Sequence, residues 1–393
     1  MSSTTAAAKS HLSRIDAYHT ELTALRRDFH QHPELAFEER RTSKIVAQKL
    51  ESWGIQVHCG MAKTGVVGTL KVGNSKKTIG LRADMDALPI HEANTFAHRS
   101  LHDGVMHACG HDGHTTMLLG AAKYLSEMKN FDGTVYLIFQ PAEENGGGGE
   151  VMIKDGLFEK FPAQEVYGMH NWPGMDFGKF AMRVGPAMAA VDNFDIEITG
   201  KGAHAAKPDA GIDSVLVGAQ VVTALQSIVA RNVSPLDNAV VSVTQFHGGD
   251  AYNVLPERIV LRGCTRSLKA EVRAQLEEAI ARVVDGVCRA NGATFKFNFM
   301  RGYPVTVNHA RETAIAQQVT SQLVGEQNVN PEVAPTMGAE DFSYMLEKRP
   351  GSYIFAGNGD SAGVHNPHYE FNDELLTLGA KYWALLVETQ LAK

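Results

Sequence analysis

The residues from Met106 to His114, which read MHACGHDGH, contain Cys109 and His111 two positions apart. Thiolate and imidazole are ligands that zinc and neighbouring divalent ions accept. Gly110 allows the backbone to bend so that both donors can converge on one point. Residues 115–125 have helical apolar spacing, which puts the two donors where a loop enters a helix. A buried cysteine beside surface histidines would give the same pattern, so donors elsewhere in the chain must decide.

Two adjacent carboxylates, Glu143 and Glu144, follow an apolar run that predicts a buried strand. Adjacent side chains point in different directions, so one carboxylate can bind a metal ion while the other faces a water molecule. That division of labour is what metal-assisted hydrolysis requires. Glu-Glu alone is equally well interpreted as a solvated acidic pair that opens a loop.

Further donors occur at the ends of other predicted elements. His170 ends a strand-like run, where a lone histidine is more often a packed core residue than a ligand, and His365 lies in a loop rich in glycine and asparagine. Asp84 and Asp86 follow another strand, where they could cap free backbone donors or orient a metal-bound histidine. Taken together, these donors could hold one or two divalent ions.

Composition indicates an ordinary globular protein of two domains: 393 residues, 44% of them hydrophobic and 21% charged. A net charge of −7 and a sequence pI near 6.2 disfavour nucleic acid and anionic membranes as partners. Residues 1–10 lack the apolar core of a signal peptide and no apolar run approaches a membrane span, so we expect a cytoplasmic location. Four widely spaced cysteines form no disulfide framework, which agrees with a reducing compartment.

Alternating helical and strand-like patterns predict an α/β catalytic domain, a helix-covered and mainly parallel sheet built from residues 1–185 and 300–393. Between them, residues 186–299 read as strand, helix, two strands, helix and strand, the split βαβ pattern of an inserted, ferredoxin-like α+β domain. The glycine run 146–149 reads as a flexible loop. No Lys-Ser/Thr pair follows it, which disfavours a phosphate-binding function.

Ordered motifs along almost the whole chain resemble those of the M20 metallopeptidases. They are similar above all to the amidohydrolase branch that contains hippurate hydrolase, aminoacylase-like enzymes and plant auxin-conjugate hydrolases. The matching segments are RDFHQHPE (27–34), LRADMDALP (81–89), HACGHD (107–112), QPAEE (140–144), GMH (168–170), GKGAHAAKP (200–208), NVLP (253–256), MGAEDF (337–342) and HNP (365–367).

The resemblance implies a dinuclear metal site with Glu143 as general base, and we place Asp86 among the catalytic residues because a carboxylate there can orient a metal-bound histidine. The implied ligands are Cys109, His111, Glu144, His170 and His365. It also implies that the insert is a lid or dimerisation domain. In that domain His204 would polarise the scissile carbonyl in the partner subunit, and Asn253 and Arg266 would hold the substrate carboxylate. A guanidinium fork and an imidazole donor suit these roles.

Two departures from the wider family bear on this assignment. Most M20 peptidases have His-x-Asp where this chain has Asp84-Met-Asp86, so we expect His111 to replace the missing metal histidine. Cys264 stands where the branch commonly has threonine, beside the strand that carries Arg266.

We therefore expect a metal-dependent hydrolase that cleaves the amide bond of N-acyl amino acids, with two divalent ions (zinc, manganese, cobalt or nickel) per subunit. The expected partners are the small substrate and a second copy of the chain in a homodimer. A dipeptidase or carboxypeptidase with the same chemistry is one alternative. A non-catalytic protein that binds metal or amino acids is another, but such a protein would need neither Glu143 nor His204.

Overall fold

The computed structural model describes residues 11–393, and the expectation about a signal peptide in residues 1–10 lies outside them. The chain forms two compact units. The first contains the chain up to Ala187 together with Val307–Ala334 and Asp341–Lys393. The second contains Met188–Thr306 and Pro335–Glu340, so it shares residues 188–299 with the predicted insert and adds two short segments.

An eight-stranded sheet forms the centre of the first unit, in the order β1-β2-β4-β3-β5-β16-β6-β15. Strands β3, β4, β5 and β16 run parallel in the middle, whereas β1 and β2 at one edge are antiparallel. The strands are β1 (Gln56–Met61), β2 (Gly65–Val72), β3 (Thr78–Asp84), β4 (Gly133–Gln140), β5 (Glu165–Pro173), β6 (Phe180–Ala181), β15 (Val329–Asn330) and β16 (Gly351–Gly359).

Helices surround this sheet, preceded by a 3-10 turn at Ser13–Tyr18. They are α1 (His19–Gln31), α2 (Arg40–Ser52), α3 (His111–Met128), α4 (Glu143–Gly146), α5 (Gly148–Lys154), α6 (Leu157–Lys160), α9 (Ala310–Val324), α10 (Ser343–Leu346) and α11 (Leu375–Gln390). Strand β4 is buried along its whole length, as is most of α3, because both lie in the middle of the unit. Helices α3 and α11 approach closely, since a Cβ at Gly379 would lie 2.0 Å from the Met117 sulfur.

The second unit is a four-stranded antiparallel sheet with two long helices. Its sheet has the order β10-β12-β8-β13, which is the strand order of a split βαβ fold. The elements are β8 (Ala190–Thr199), β9 (Ala203–His204), α7 (Ser214–Ser227), β10 (Ala239–His247), β11 (Val254–Leu255), β12 (Arg258–Ser267), α8 (Ala270–Ala290) and β13 (Thr294–Arg301). Strands β7 (Gly185–Met188) and β14 (Thr306–Asn308) lie where the chain passes from one unit to the other.

The α/β fold class is confirmed, but one local expectation is wrong. The glycine run 146–149 is not a flexible loop, because it ends α4 and begins α5. Its glycines permit close packing: a Cβ at Gly148 would lie 1.8 Å from the Pro141 carbonyl oxygen. The sequence pattern does not indicate β1, because its side chains are mostly exposed and therefore lack an apolar pattern.

The expectation that no apolar run approaches a membrane span is wrong for one helical segment, Ser214–Asn232, which is long and apolar enough to cross a membrane by length and composition alone. Only 33% of its most apolar window is buried inside the chain. Its exposed apolar side chains include Val215, Leu216 and Val229. A single such helix is weak evidence for a membrane span, because a helix that packs against a partner has the same properties.

Candidate metal centre and hydrolytic site

Gly110 sets the geometry at the start of α3. Its φ of +96° is unfavourable for other residues, and a Cβ there would lie 2.2 Å from the Asn171 side-chain oxygen. The turn it makes places Cys109 just before the helix and His111 at its first position. The Cys109 sulfur lies 3.3 Å from Nε2 of His170, which comes from β5. The loop, the helix start and the strand end therefore meet at one point.

Both imidazoles are oriented by hydrogen bonds on their Nδ1 side. His170 Nδ1 lies 2.5 Å from the Asn171 carbonyl oxygen, and His111 Nδ1 lies 3.1 Å from a carboxylate oxygen of Asp86. These contacts leave Nε2 of each ring as the atom that can bind a metal. In the described part of the chain, His111 Nε2 is buried and has no hydrogen-bond partner. A bound metal ion would satisfy such an atom.

The carboxylate of Glu144, in the short helix α4 that follows β4, belongs to the same cluster. Its backbone N–H donates to Asp86 at 3.0 Å, so Asp86 contacts both His111 and the Glu144 backbone. Glu144 Oε1 lies 3.0 Å from His365 Nε2 and 4.0 Å from His111 Nε2. His365 has a φ of +64°, and its N–H donates to the Ala108 carbonyl at 2.7 Å, which ties this loop to the Cys109 segment.

All five predicted ligands come together. Two sets of donor atoms, each within 4.8 Å of one another, share the Cys109 sulfur: one adds His111 and His170, and the other adds Glu144 and His365. Soft thiolate and imidazole with harder carboxylate form a donor set that suits a divalent transition ion. The residues therefore fit a metal centre in which Cys109 occupies the shared position.

Glu143 lies beside this cluster and is 5% exposed. One of its oxygens forms a third donor set with His111 and Glu144, and the backbone N–H of Asp341 lies 3.4 Å from Glu143 Oε1. Its carboxylate is therefore next to the donors and held at the end of a short helix. A general base needs this proximity to the water molecule that it deprotonates.

The charge distribution around the donors favours a cation. Burial by itself lowers the pKa of His111. The neighbouring carboxylates, above all that of Asp84, have a larger opposite effect and raise this pKa to about 10. Burial, together with Glu144, raises the pKa of the Cys109 thiol well above its usual range. The His111 shift, and part of the Cys109 shift, reflect buried negative charge around the donors. A divalent ion would offset that charge and allow both donors to lose their protons.

The sequence did not single out His114, although it lies one helical turn after His111. Its Nδ1 lies 2.6 Å from Asp84 and its Nε2 lies 2.7 Å from the Asn171 side chain, so both nitrogens have protein partners. Asp84 also accepts from Arg82 at 2.5 Å. The His-x-x-His spacing on a predicted helix was the available signal. Asp84 and His114 therefore form a buried hydrogen-bonded pair next to the candidate ligand His111.

Glu39 supports the turn that leads to the two glutamates. Ala142, which precedes Glu143, has a φ of +56°, an unfavourable conformation for alanine. Its N–H donates to Glu39 Oε1 at 2.9 Å, and the Thr64 hydroxyl donates to Glu39 Oε2 at 2.5 Å. Glu39 is fully buried, and this burial raises its pKa to about 7. Its carboxyl group is thus neutral or charged according to pH.

The variant Glu39→Gln tests this environment. A folded-state pKa near 7 instead of the ordinary 4.5 means that the wild type loses stability as pH rises from about 4.5 to above 7. Glutamine stays neutral, its oxygen can still accept the Ala142 N–H, and its amide N–H can donate to the Thr64 hydroxyl, which reverses that one hydrogen bond. Its stability relative to the wild type should therefore rise by up to about 3 kcal/mol between pH 5 and 8.5. The apparent Tm of both proteins across this range measures the effect. Exposed Glu38→Gln is the control, and parallel Tm curves for Glu39→Gln and the wild type would contradict the assignment.

The remaining predicted residues belong to the second unit. His204 is exposed on β9, and its Nδ1 accepts the Ala206 N–H at 3.0 Å. A neutral His204 ring therefore carries its proton on Nε2, the outer nitrogen. The Asn253 carbonyl accepts the Ala205 N–H at 2.9 Å, which keeps Asn253 near His204 along the chain surface. Arg266 lies on β12, in register with Val191 and Val240 of the neighbouring strands.

Comparison with known proteins identifies the class. Residues 80–389 match the family model for peptidase family M20/M25/M40. The chain is 44% identical over 366 residues to hippurate hydrolase of Campylobacter jejuni, covering 93% of this chain and 95% of the relative. It is 38% identical over 372 residues to N-acetylcysteine deacetylase of Bacillus subtilis, covering 94% and 97%.

A crystal structure agrees with these matches. The Bacillus subtilis YXEP protein, described as a dinuclear metal binding peptidase from the M20 family, superimposes with a TM-score of 0.84 and 34% identity. The superposition covers 96% of this chain and 99% of that one. The chain belongs to peptidase family M20/M25/M40. It is a hydrolase with candidate metal-ligand groups in its larger unit.

Proposed function

We propose that this protein hydrolyses the amide bond of N-acyl amino acids, releasing a carboxylic acid and a free amino acid, with two divalent metal ions per subunit. The observation that carries the proposal is the convergence of five donors, Cys109 among them, with a buried carboxylate, Glu143, beside them. Hippurate hydrolase and N-acetylcysteine deacetylase, by their names, act on such amides, and both align along nearly the whole chain.

Each residue near the donors has a distinct role in this proposal. The bound metals would supply Lewis acidity, which lowers the pKa of water and polarises the amide carbonyl. Cys109, His111, Glu144, His170 and His365 would hold them. Glu143 would take a proton from the attacking water and pass it to the leaving amine nitrogen. Asp86 would keep His111 and the Glu144 backbone in position through its two carboxylate oxygens.

The second unit would supply the remaining groups. His204, with its proton on the exposed Nε2, would donate to the oxygen of the tetrahedral intermediate. Arg266 and Asn253 would bind the substrate's free carboxylate, the guanidinium through a two-pronged contact. We propose that His204 acts in the site of a partner subunit, so that the active form is a homodimer. The exposed apolar side chains along α7 support the proposal that a second copy of the chain covers this surface of the unit.

Zinc, manganese, cobalt and nickel all suit thiolate, imidazole and carboxylate ligands, and supply in the cell often selects among them. Sequence composition and four free thiols are consistent with a cytoplasmic location.

A substrate panel tests the function. Purified protein supplied with divalent metal should hydrolyse N-benzoylglycine or an N-acetyl amino acid at least about tenfold faster, by kcat/KM, than dipeptides that carry the same C-terminal amino acid. Release of the free amino acid is the measurement. Faster hydrolysis of dipeptides would favour the dipeptidase or carboxypeptidase alternative. Binding of metal and acyl amino acid without turnover would favour the non-catalytic alternative.

A further inference from the structure

Trp172 lies immediately beside the metal-ligand cluster. It follows His170 by two residues on β5, and alternate residues of a strand share one face. The rings of His170 and Trp172 confirm this arrangement, with centroids 6.2 Å apart and planes at 73°. Trp172 is partly exposed, whereas His170 is buried. The Trp172 indole is therefore accessible and lies on the same face of the strand as His170.

The neighbouring strand holds the indole in place. Phe355 of β16 pairs with His170 in the register of the two strands, and its ring centroid lies 4.5 Å from that of Trp172. Phe355 is only 4% exposed and packs at 90° against Tyr353, whose ring centroid is 6.1 Å away. A buried row of aromatic rings thus supports one partly exposed ring. Such a preorganised surface can receive an apolar group at small entropic cost.

We propose that Trp172, backed by Phe355, forms the subsite for the acyl group of the substrate and favours an aromatic acyl group. This inference rests on the proposed amide hydrolysis. If the scissile carbonyl is bound at the donors around His170 Nε2, an aryl group bonded to that carbonyl carbon lies within one ring length of it. The Trp172 ring centroid lies 6.2 Å from the His170 ring centroid, so the indole is close enough to the donors to be reached by an aryl group bound there.

The chemistry of Trp172 suits the acyl end of the substrate and not the amino-acid end. The amino-acid end carries a carboxylate, which needs a charged partner or several hydrogen-bond donors, whereas the indole has a single N–H donor and large apolar faces. Within residues 11–393 its ring contacts are with His170 and Phe355, and the side chain makes no hydrogen bond. Burial of an aryl ring against it would remove far more apolar surface from water than burial of an acetyl methyl group.

The test compares two substrates that differ only in the acyl group, N-benzoylglycine and N-acetylglycine. In the metal-loaded enzyme, Trp172→Ala should lower the ratio of kcat/KM for benzoyl to that for acetyl by at least about tenfold. Trp172→Phe, which keeps an aromatic face, should keep the ratio within about threefold of the wild type. Because the ratio is independent of the amount of active enzyme, partial loss of protein does not affect it.

Trp53→Ala is the matched control, since Trp53 is also partly buried but packs against the core at the end of α2. Its ratio should equal that of the wild type. If Trp172→Ala does not fold, Trp172→Gln replaces it and should also lower the ratio, because glutamine removes the aromatic face and most of the apolar surface. An equal loss on both substrates, or no loss, in the variant that folds would overturn the subsite. A wild type that hydrolyses neither substrate would instead overturn the proposed function.

Discussion

Removal of divalent metal should reduce amide hydrolysis by at least about 10³-fold, and added zinc, manganese, cobalt or nickel should restore it. The physical reason lies in the buried donors: His111 Nε2 has no hydrogen-bond partner among the described residues, and three donor sets converge beside Glu143. Without a cation, burial and the neighbouring carboxylates keep the Cys109 thiol protonated. Glu143 alone then faces an ordinary, weakly acidic water molecule.

The measurement is kcat on N-benzoylglycine after chelation and dialysis, with metal content determined on the same sample. Circular dichroism of the stripped protein is the control, because it distinguishes loss of the metal from loss of the fold. Full turnover in a folded sample shown to be metal-free would contradict the proposed chemistry.

Mixing two inactive variants should regenerate activity if His204 serves the partner subunit. Glu143→Ala removes the proposed general base in the first unit, and His204→Ala removes the proposed oxyanion donor in the second, so each homodimer should be nearly inactive. In a mixed dimer one site carries both defects and the other carries neither. When half the dimers are mixed, activity should return to about a quarter of the wild-type value.

Subunit exchange must be demonstrated in the same samples, for instance with differently tagged chains that co-purify after mixing. A mixture of Glu143→Ala with Glu143→Gln is the matched control, since no arrangement of these two chains restores the base. Proven exchange without recovery would mean that His204 acts within its own chain or has no catalytic role.

Much of the site was predictable because its donors lie at the ends of regular elements. The helical spacing after His111 and the apolar runs before Glu143 and His170 predicted elements that the structure contains at His111–Met128, Gly133–Gln140 and Glu165–Pro173. Parallel strands in one sheet end at the same edge, so donors that follow them are brought together. Adjacency allowed one of Glu143 and Glu144 to bind metal while the other faces water, and the family resemblance implied which carboxylate has which role.

Other features depend on contacts between residues far apart in the chain. The strained turn at Ala142 is held by Glu39, and the rings of His111 and His170 are oriented by Asp86 and the Asn171 carbonyl. Periodicity contains no information about such pairs, because it reports only which residues are buried. The helical conformation of the glycine run likewise depends on close packing at Gly148. Glycine composition alone does not show whether such a run is flexible or closely packed.

The sequence by itself therefore determined the fold class, the donor types and the family, since these depend on residue identity and local spacing. The tertiary structure alone decided which nitrogen of each histidine is available, that His114 is engaged by Asp84 and Asn171, and that Trp172 lies beside His170. These outcomes depend on strand register and helix packing. Register is a property of two strands together, so neither strand's sequence specifies it alone.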